Sequence, residues 1–135
     1  MASDGVLSAV DPFRPGRLGF SAQKRIAHHE VGRIRNGTVR WIETTGAKAS
    51  AGHEPVDFIF IDGDHSEQGL LQDWLAWNGL VQPCGIVAIH DSRSTPDRPI
   101  DDAGSVKVTN EVILRDDRFE RKEVVDSLTV LSRRV

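Results

Sequence analysis

The run Val56-Asp57-Phe58-Ile59-Phe60-Ile61 is apolar but for one acid, and it stops abruptly at Asp62-Gly63-Asp64-His65. A continuous Phe/Ile run has no polar face to show water. This predicts a strand buried on both sides, as in parallel sheets covered by helices. Gly85-Ile86-Val87-Ala88-Ile89 repeats the design and ends in His90, Asp91 and Ser92. Between the two runs, Ser66 to Asn78 places Leu70, Leu71, Trp74, Leu75 and Trp77 at helical spacing. That spacing predicts a crossover helix with one apolar face, stopped by Gly79, and Pro83-Cys84-Gly85 then turns the chain into the next strand. In open α/β sheets, ligands bind in the crevice beyond the carboxyl ends of the strands. Asp62, Gly63, Asp64, His65, His90 and Asp91 are therefore the candidate site.

The rest of the chain supplies further elements. Gly5 to Val10 reads as a short strand with an acidic end, Asp11-Pro12, and Phe13 to Phe20 as a loop broken by Pro15, Gly16 and Gly19. Ser21 looks like the cap of a helix over Ala22 to Asn36, with an Ala27, Val31, Ile34 stripe and Gly37 as its stop. His28 and His29, adjacent on that helix, point about 100° apart and read as surface residues rather than a metal pair. Thr38 to Ile42 reads as a strand, and Glu43 to Glu54 as a loop or short helix. Ser92 to Ala103 is long enough to be a functional loop. Val106 to Leu114 reads as a helix, and Phe119 to Val125 with Leu128 to Ser132 as a terminal antiparallel pair. The expected fold is α/β, with a mostly parallel sheet ending in an antiparallel hairpin.

Composition narrows the class. With 135 residues the chain suits one domain, and 39% apolar with 27% charged residues is ordinary for a globular protein. A net charge of -3 gives no electrostatic case for nucleic acid, and Arg133-Arg134 reads as a solvated tail end. The single cysteine, Cys84, excludes an internal disulfide and reads as a small buried side chain. No apolar run approaches the ~20 residues that span a bilayer. A cytoplasmic protein is expected, away from membranes.

Chemistry enters at the strand ends. Carboxylates gathered there repel unless a cation or protons neutralise them, and hard oxygen ligands favour Mg²⁺, Mn²⁺ or Ca²⁺. An imidazole at His90 shifts that preference toward Mn²⁺, Fe²⁺ or Zn²⁺. Such a cluster also suits a metal-dependent hydrolase, and a non-catalytic binding or assembly module remains a third reading.

The pattern FIDGDHS, then a helix carrying Asp73 and Trp74, then a Pro-x-Gly turn and IHDS is similar to the carboxyl-terminal half of class I S-adenosylmethionine-dependent methyltransferases. It resembles the subgroup that includes small-molecule and sugar O-methyltransferases and cephalosporin-hydroxylase-like proteins. The resemblance covers Val6 to the end and is strongest from Val56 to Ser92. It implies a Rossmann-like sheet and a divalent metal, Mg²⁺ or Mn²⁺, held by Asp62, His90 and Asp91. It also implies S-adenosylmethionine bound by Asp11, at its ribose, and by Asp62 and Gly63. The implied reaction is O-methylation of a small hydroxylated molecule, with His65 as general base; the alternative for His65 is a helix cap shared with Ser66. The family's first strand and glycine-rich turn have no counterpart here, so the domain reads as amino-terminally truncated, with weak cofactor binding or none. A sheet without that strand is expected to close by pairing Gly5 to Val10 with Val56 to Ile61. Otherwise a second copy or a separate polypeptide supplies the strand, making an oligomer.

Overall fold

Two five-residue strands, β1 (Val6–Val10) and β2 (Thr38–Ile42), pair in parallel with Val6 opposite Thr38 and Val10 opposite Ile42. They belong to a computed structural model that describes residues 5–17, 19–33 and 35–135. Parallel neighbours need a crossover, and helix α1 (Ala22–Val31) supplies it. Ser21 is its N-cap, its hydroxyl accepting from the Lys24 N–H at 3.2 Å. The helix ends at Gly32, well short of the expected Asn36, because glycine is a poor helix former. Ile34, expected on its apolar stripe, lies outside the described residues. His28 is on the surface as expected, yet it stacks on Trp41 with ring centroids 4.0 Å apart. A single short helix, α2 (Gly46–Ala49), follows β2.

The described chain divides into two compact units, one ending at Ala49 and the other starting at Ser50. The second holds β3 (Val56–Ile61), α3 (Glu67–Trp77), β4 (Val81–Ile89), α4 (Gly104–Glu111), a 3-10 turn (Ile113–Arg115), β5 (Phe119–Val125) and β6 (Leu128–Arg133). Its sheet has the order β3-β4-β6-β5, parallel between β3 and β4 and antiparallel from β4 through the β5–β6 hairpin. The expected pairing of Gly5 to Val10 with Val56 to Ile61 is corrected here: among the described residues the ladder partner of β1 is β2, and that of β3 is β4. The β1–β2 ladder even continues past both ends, through Thr38 N–H to Gly5 O at 3.0 Å and Asp11 N–H to Ile42 O at 3.2 Å. Two strands of equal length joined by one helix satisfy each other first.

The second unit's core gathers Ile61, Leu70, Trp74, Val87, Ile89 and Leu131, with Val108, Ile113 and Phe119 beside them. Periodicity located the buried side of α3 well: Leu70, Trp74 and Trp77 are buried, whereas Leu75 is 65% exposed. Strand β4 starts earlier than the Pro-Cys-Gly signal suggested. Val81 already pairs with Val56, and Pro83-Cys84-Gly85 forms an irregularity inside the strand, with Cys84 exposed at φ 64. Nor is Arg133 a solvated tail end, for its guanidinium donates to the carbonyls of Gly79, at 3.1 Å, and Val81. No described helix is long and apolar enough to cross a membrane.

Trp74 is 2% exposed and packs on Phe119 with ring centroids 4.9 Å apart. Trp74→Ala is expected to cost about 3–5 kcal/mol of unfolding free energy. Urea denaturation followed by far-UV circular dichroism measures it, and a loss below about 1 kcal/mol would show that this contact is not central.

Candidate functional site

Strands β3 and β4 end side by side, Ile61 opposite Ile89, and the His90 N–H continues the ladder to Ile61 O at 3.0 Å. The register therefore delivers Asp62 and His90 to one place. His90 Nδ1 lies 2.9 Å from Asp62 Oδ1 and 3.7 Å from Asp91 Oδ2. His65, three residues after Asp62, reaches back with Nε2 3.3 Å from Asp62 Oδ1 and Nδ1 3.5 Å from Asp91 Oδ2. The imidazole of His65 thus faces the two carboxylates, and the cap of α3 is Ser66, whose hydroxyl accepts from Gly69 N–H at 3.0 Å.

Asp64 points elsewhere. Its Oδ1 accepts from Ser66 N–H at 2.8 Å, so one carboxylate of the Asp-x-Asp pair serves the start of α3. Gly63 passes over that helix so closely that an added Cβ would lie 2.9 Å from Asp73 Oδ2. Asp11 belongs to the first unit, at the end of β1. There its Oδ1 accepts from Phe13 N–H at 2.6 Å, realising the turn that Asp before Pro suggested.

Asp91 is the most enclosed group of the set, at 2% exposure, in a left-handed backbone conformation with φ 47. Asp tolerates that conformation better than most residues. Ser127 donates to its Oδ1 at 3.0 Å, the Arg98 guanidinium donates to its Oδ2, and Ser105 donates to its backbone carbonyl at 2.6 Å. Burial pushes the Asp91 pKa up, but the hydrogen bonds from Arg98 and Ser127 and the charges of His90 and Arg98 outweigh it. The carboxyl is held below its ordinary 3.8. None of these supporting residues was singled out from the sequence. The available signal was charge balance, since no basic side chain was assigned to the candidate acids and Arg98 sits in the loop that follows them.

Helix α4 holds this arrangement from behind. The Ser105 N–H donates to His65 O at 2.9 Å, so one residue ties the His65 turn to the Asp91 elbow. The approach depends on Gly104, where a Cβ would lie 2.1 Å from Glu67 N and 2.6 Å from Ser66 C.

Asp62, His65 and His90 can present one ligand atom each within 4.8 Å of one another. His90 Nδ1 is shielded from solvent and makes no hydrogen bond, although it lies 2.9 Å from Asp62 Oδ1. Adjacent ligands of an octahedral ion with bonds of about 2.1 Å sit about 3.0 Å apart, so the Asp62–His90 separation fits a shared cation. An orphaned imidazole nitrogen next to a carboxylate is the donor set that a divalent ion of intermediate hardness takes.

A family model described as a methyltransferase domain matches residues 1–92. Among solved structures, a Corynebacterium glutamicum protein aligns with a TM-score of 0.66 at 16% identity, over 96% of this chain and 61% of its own. The MycE methyltransferase of the mycinamycin biosynthetic pathway, solved with Mg, SAH and mycinamycin VI, aligns with 0.59 at 13% identity, over 98% of this chain and 45% of its own. A Staphylococcus aureus protein assigned as a caffeoyl-CoA O-methyltransferase aligns with 0.58 at 15% identity, over 95% of this chain and 64% of its own. The likeness is one of fold, and the chain spans less than two thirds of each relative's length. No curated protein sequence matches the chain.

The depressed pKa of Asp91 fixes the sign of a pH effect. Its contribution to stability is fully present above the unfolded value, about 3.9, and is lost as pH falls through the lower folded value. Asp91→Asn should lower the melting temperature at pH 7, with a gap to the wild type that is level from about pH 5 upward and narrows below about pH 4. Thermal melts across that range check it, and a gap unchanged down to about pH 2.5 would contradict the assignment.

Proposed function

Because the chain belongs to the methyltransferase-domain family, we propose that it serves S-adenosylmethionine-dependent O-methylation of a small hydroxylated molecule, with a divalent cation at the ends of β3 and β4. The observation that carries the metal part is the orphaned Nδ1 of His90, 2.9 Å from Asp62 Oδ1. Asp62, His90 and Asp91 would hold the ion, which leaves the His65 imidazole free for proton transfer. When bound, the cofactor supplies the methyl group and the cation supplies Lewis acidity at the substrate hydroxyl.

The chain's own residues do the rest. His65 is flanked by Asp62 and Asp91, at 3.3 and 3.5 Å, which orient its ring as the proposed acceptor of the hydroxyl proton. Asp11, fixed in its turn, is the proposed acceptor for the ribose hydroxyls, since a carboxylate can accept from both members of a diol. Asp62 and Gly63 would line the cofactor side of the strand ends. The Mg and SAH found with MycE support this reading as properties of that protein. A metal-dependent hydrolase is favoured by one observation, the two imidazoles beside Asp62, which suit a water-activating ion.

Isothermal titration calorimetry with Mn²⁺ and with S-adenosylhomocysteine, each alone and together, tests the proposal. Mn²⁺ binding should weaken at least about tenfold, or ~1.4 kcal/mol, in Asp62→Ala and in His90→Ala, with the far-UV spectrum retained. S-adenosylhomocysteine should bind weakly and more tightly when Mn²⁺ is present, and Asp11→Asn should weaken it further. Unchanged Mn²⁺ affinity in Asp62→Ala would end the metal assignment. Mn²⁺-dependent hydrolysis of p-nitrophenyl phosphate or p-nitrophenyl acetate, lost in Asp62→Ala, would favour the hydrolase.

A further inference from the structure

Asp91 has two carboxylate oxygens with different neighbours. Oδ1 accepts from Ser127, on the connection between β5 and β6. Oδ2 is the oxygen that faces the cluster, 3.5 Å from His65 Nδ1 and 3.7 Å from His90 Nδ1, and it is also the one that the Arg98 guanidinium takes. Asp91 stands outside the set whose ligand atoms lie within 4.8 Å of one another, Asp62, His65 and His90, so a cation there would reach Oδ2 only by drawing that carboxylate inward and away from Arg98.

Arg98 is carried by residues 93–101 of the connection between β4 and α4, a stretch held largely by hydrogen bonds within itself. Thr95 and Arg98 exchange backbone bonds, each 3.1 Å, Ser94 Oγ donates to Asp101 at 2.8 Å, and Ile100 N–H donates to Ser94 Oγ at 3.0 Å. The guanidinium is what joins this self-braced loop to the strand end. Arg98 remains 55% exposed, so nothing encloses it once Asp91 is taken away.

We propose that Arg98 is a built-in counterion that competes with the divalent cation for Asp91, so that loading the metal releases the loop of residues 93–101. A guanidinium and a doubly charged ion repel each other on one carboxylate oxygen, and a hard ion at an anionic oxygen prevails when it is also held by Asp62 and His90. Asp91 then passes from the arginine to the metal without ever standing uncompensated in its buried position. The inference rests on the metal site proposed above and adds to it what occupies that site's inner carboxylate in the absence of the ion.

Two readouts test it on the full chain. Titration with Mn²⁺, followed by the electron paramagnetic resonance signal of the free ion, should show Arg98→Met binding about tenfold more tightly than the wild type. Adding Asp91→Asn to Arg98→Met should cancel that gain. Trypsin, cutting after the exposed Arg93, should cleave the wild type several-fold faster with Mn²⁺ than without it. Arg98→Met should be cleaved fast in both conditions. Should that variant fail to fold, the wild-type cleavage rates decide alone. Mn²⁺ binding to the wild type with no change in cleavage after Arg93, and with unchanged affinity in Arg98→Met, would overturn this inference and leave the metal site standing. No Mn²⁺ binding by either protein would overturn both, whereas binding by Arg98→Met alone would support the competition in its strongest form.

Discussion

A carboxylate that is 2% exposed must be neutralised, and much of the second unit is arranged to do that for Asp91. Leaving a buried charge without a partner costs on the order of 3–5 kcal/mol, a large share of a domain's net stability. Asp91 therefore draws Ser127 from the β5–β6 connection and Arg98 from the loop after β4, while its backbone carbonyl engages Ser105 of α4. Ser92, the next residue, extends the same connection with its N–H and hydroxyl both on Ser127 O, at 2.9 and 3.0 Å. The hairpin, the loop and α4 all meet at one elbow. Its left-handed turn aims the carboxylate inward rather than along the strand.

Much of this plan was legible in the sequence, and the parts that were share a physical reason. Apolar runs mark strands, so β3 and the core of β4 were visible, as were their polar ends, but the expected burial of β3 on both sides is not what the structure has: Phe58 and Phe60 are 53% and 49% exposed. A helix crossing between them shows its period, which is why α3 could be bounded to within a residue at its cap, Ser66. The terminal hairpin alternated clearly enough to be placed. The resemblance drawn from FIDGDHS and IHDS agrees with the family that the chain belongs to.

What was not legible depended on partners distant in sequence. Arg98 reads as loop composition between two prolines until the fold brings it to Asp91. Ser105 and Ser127 are small polar residues whose value lies in the groups they happen to meet. Asp64 could not be told from Asp62 by residue type, although one serves a helix start and the other faces two imidazoles. Strand pairing failed for a similar reason. Apolar runs show which segments are strands, but not which neighbour each will take, and β1 took β2. The start of β4 was missed because Pro83-Cys84-Gly85 looks like a turn, whereas the chain absorbs it as an irregularity within a paired strand.

Gly104 has a meaning for reading related sequences. The backbones of α3 and α4 meet there so tightly that even a methyl group would collide with main-chain atoms, which cannot rotate away as a side chain can. Ser105, one position on, carries hydrogen bonds to both the His65 turn and the Asp91 elbow. A glycine that is invariant among homologues at this position would record a geometric tolerance rather than any contact with substrate. Substitution in α4 would then be tolerated on its outer face, while its first turn is held by sterics at a distance from the chemistry it supports.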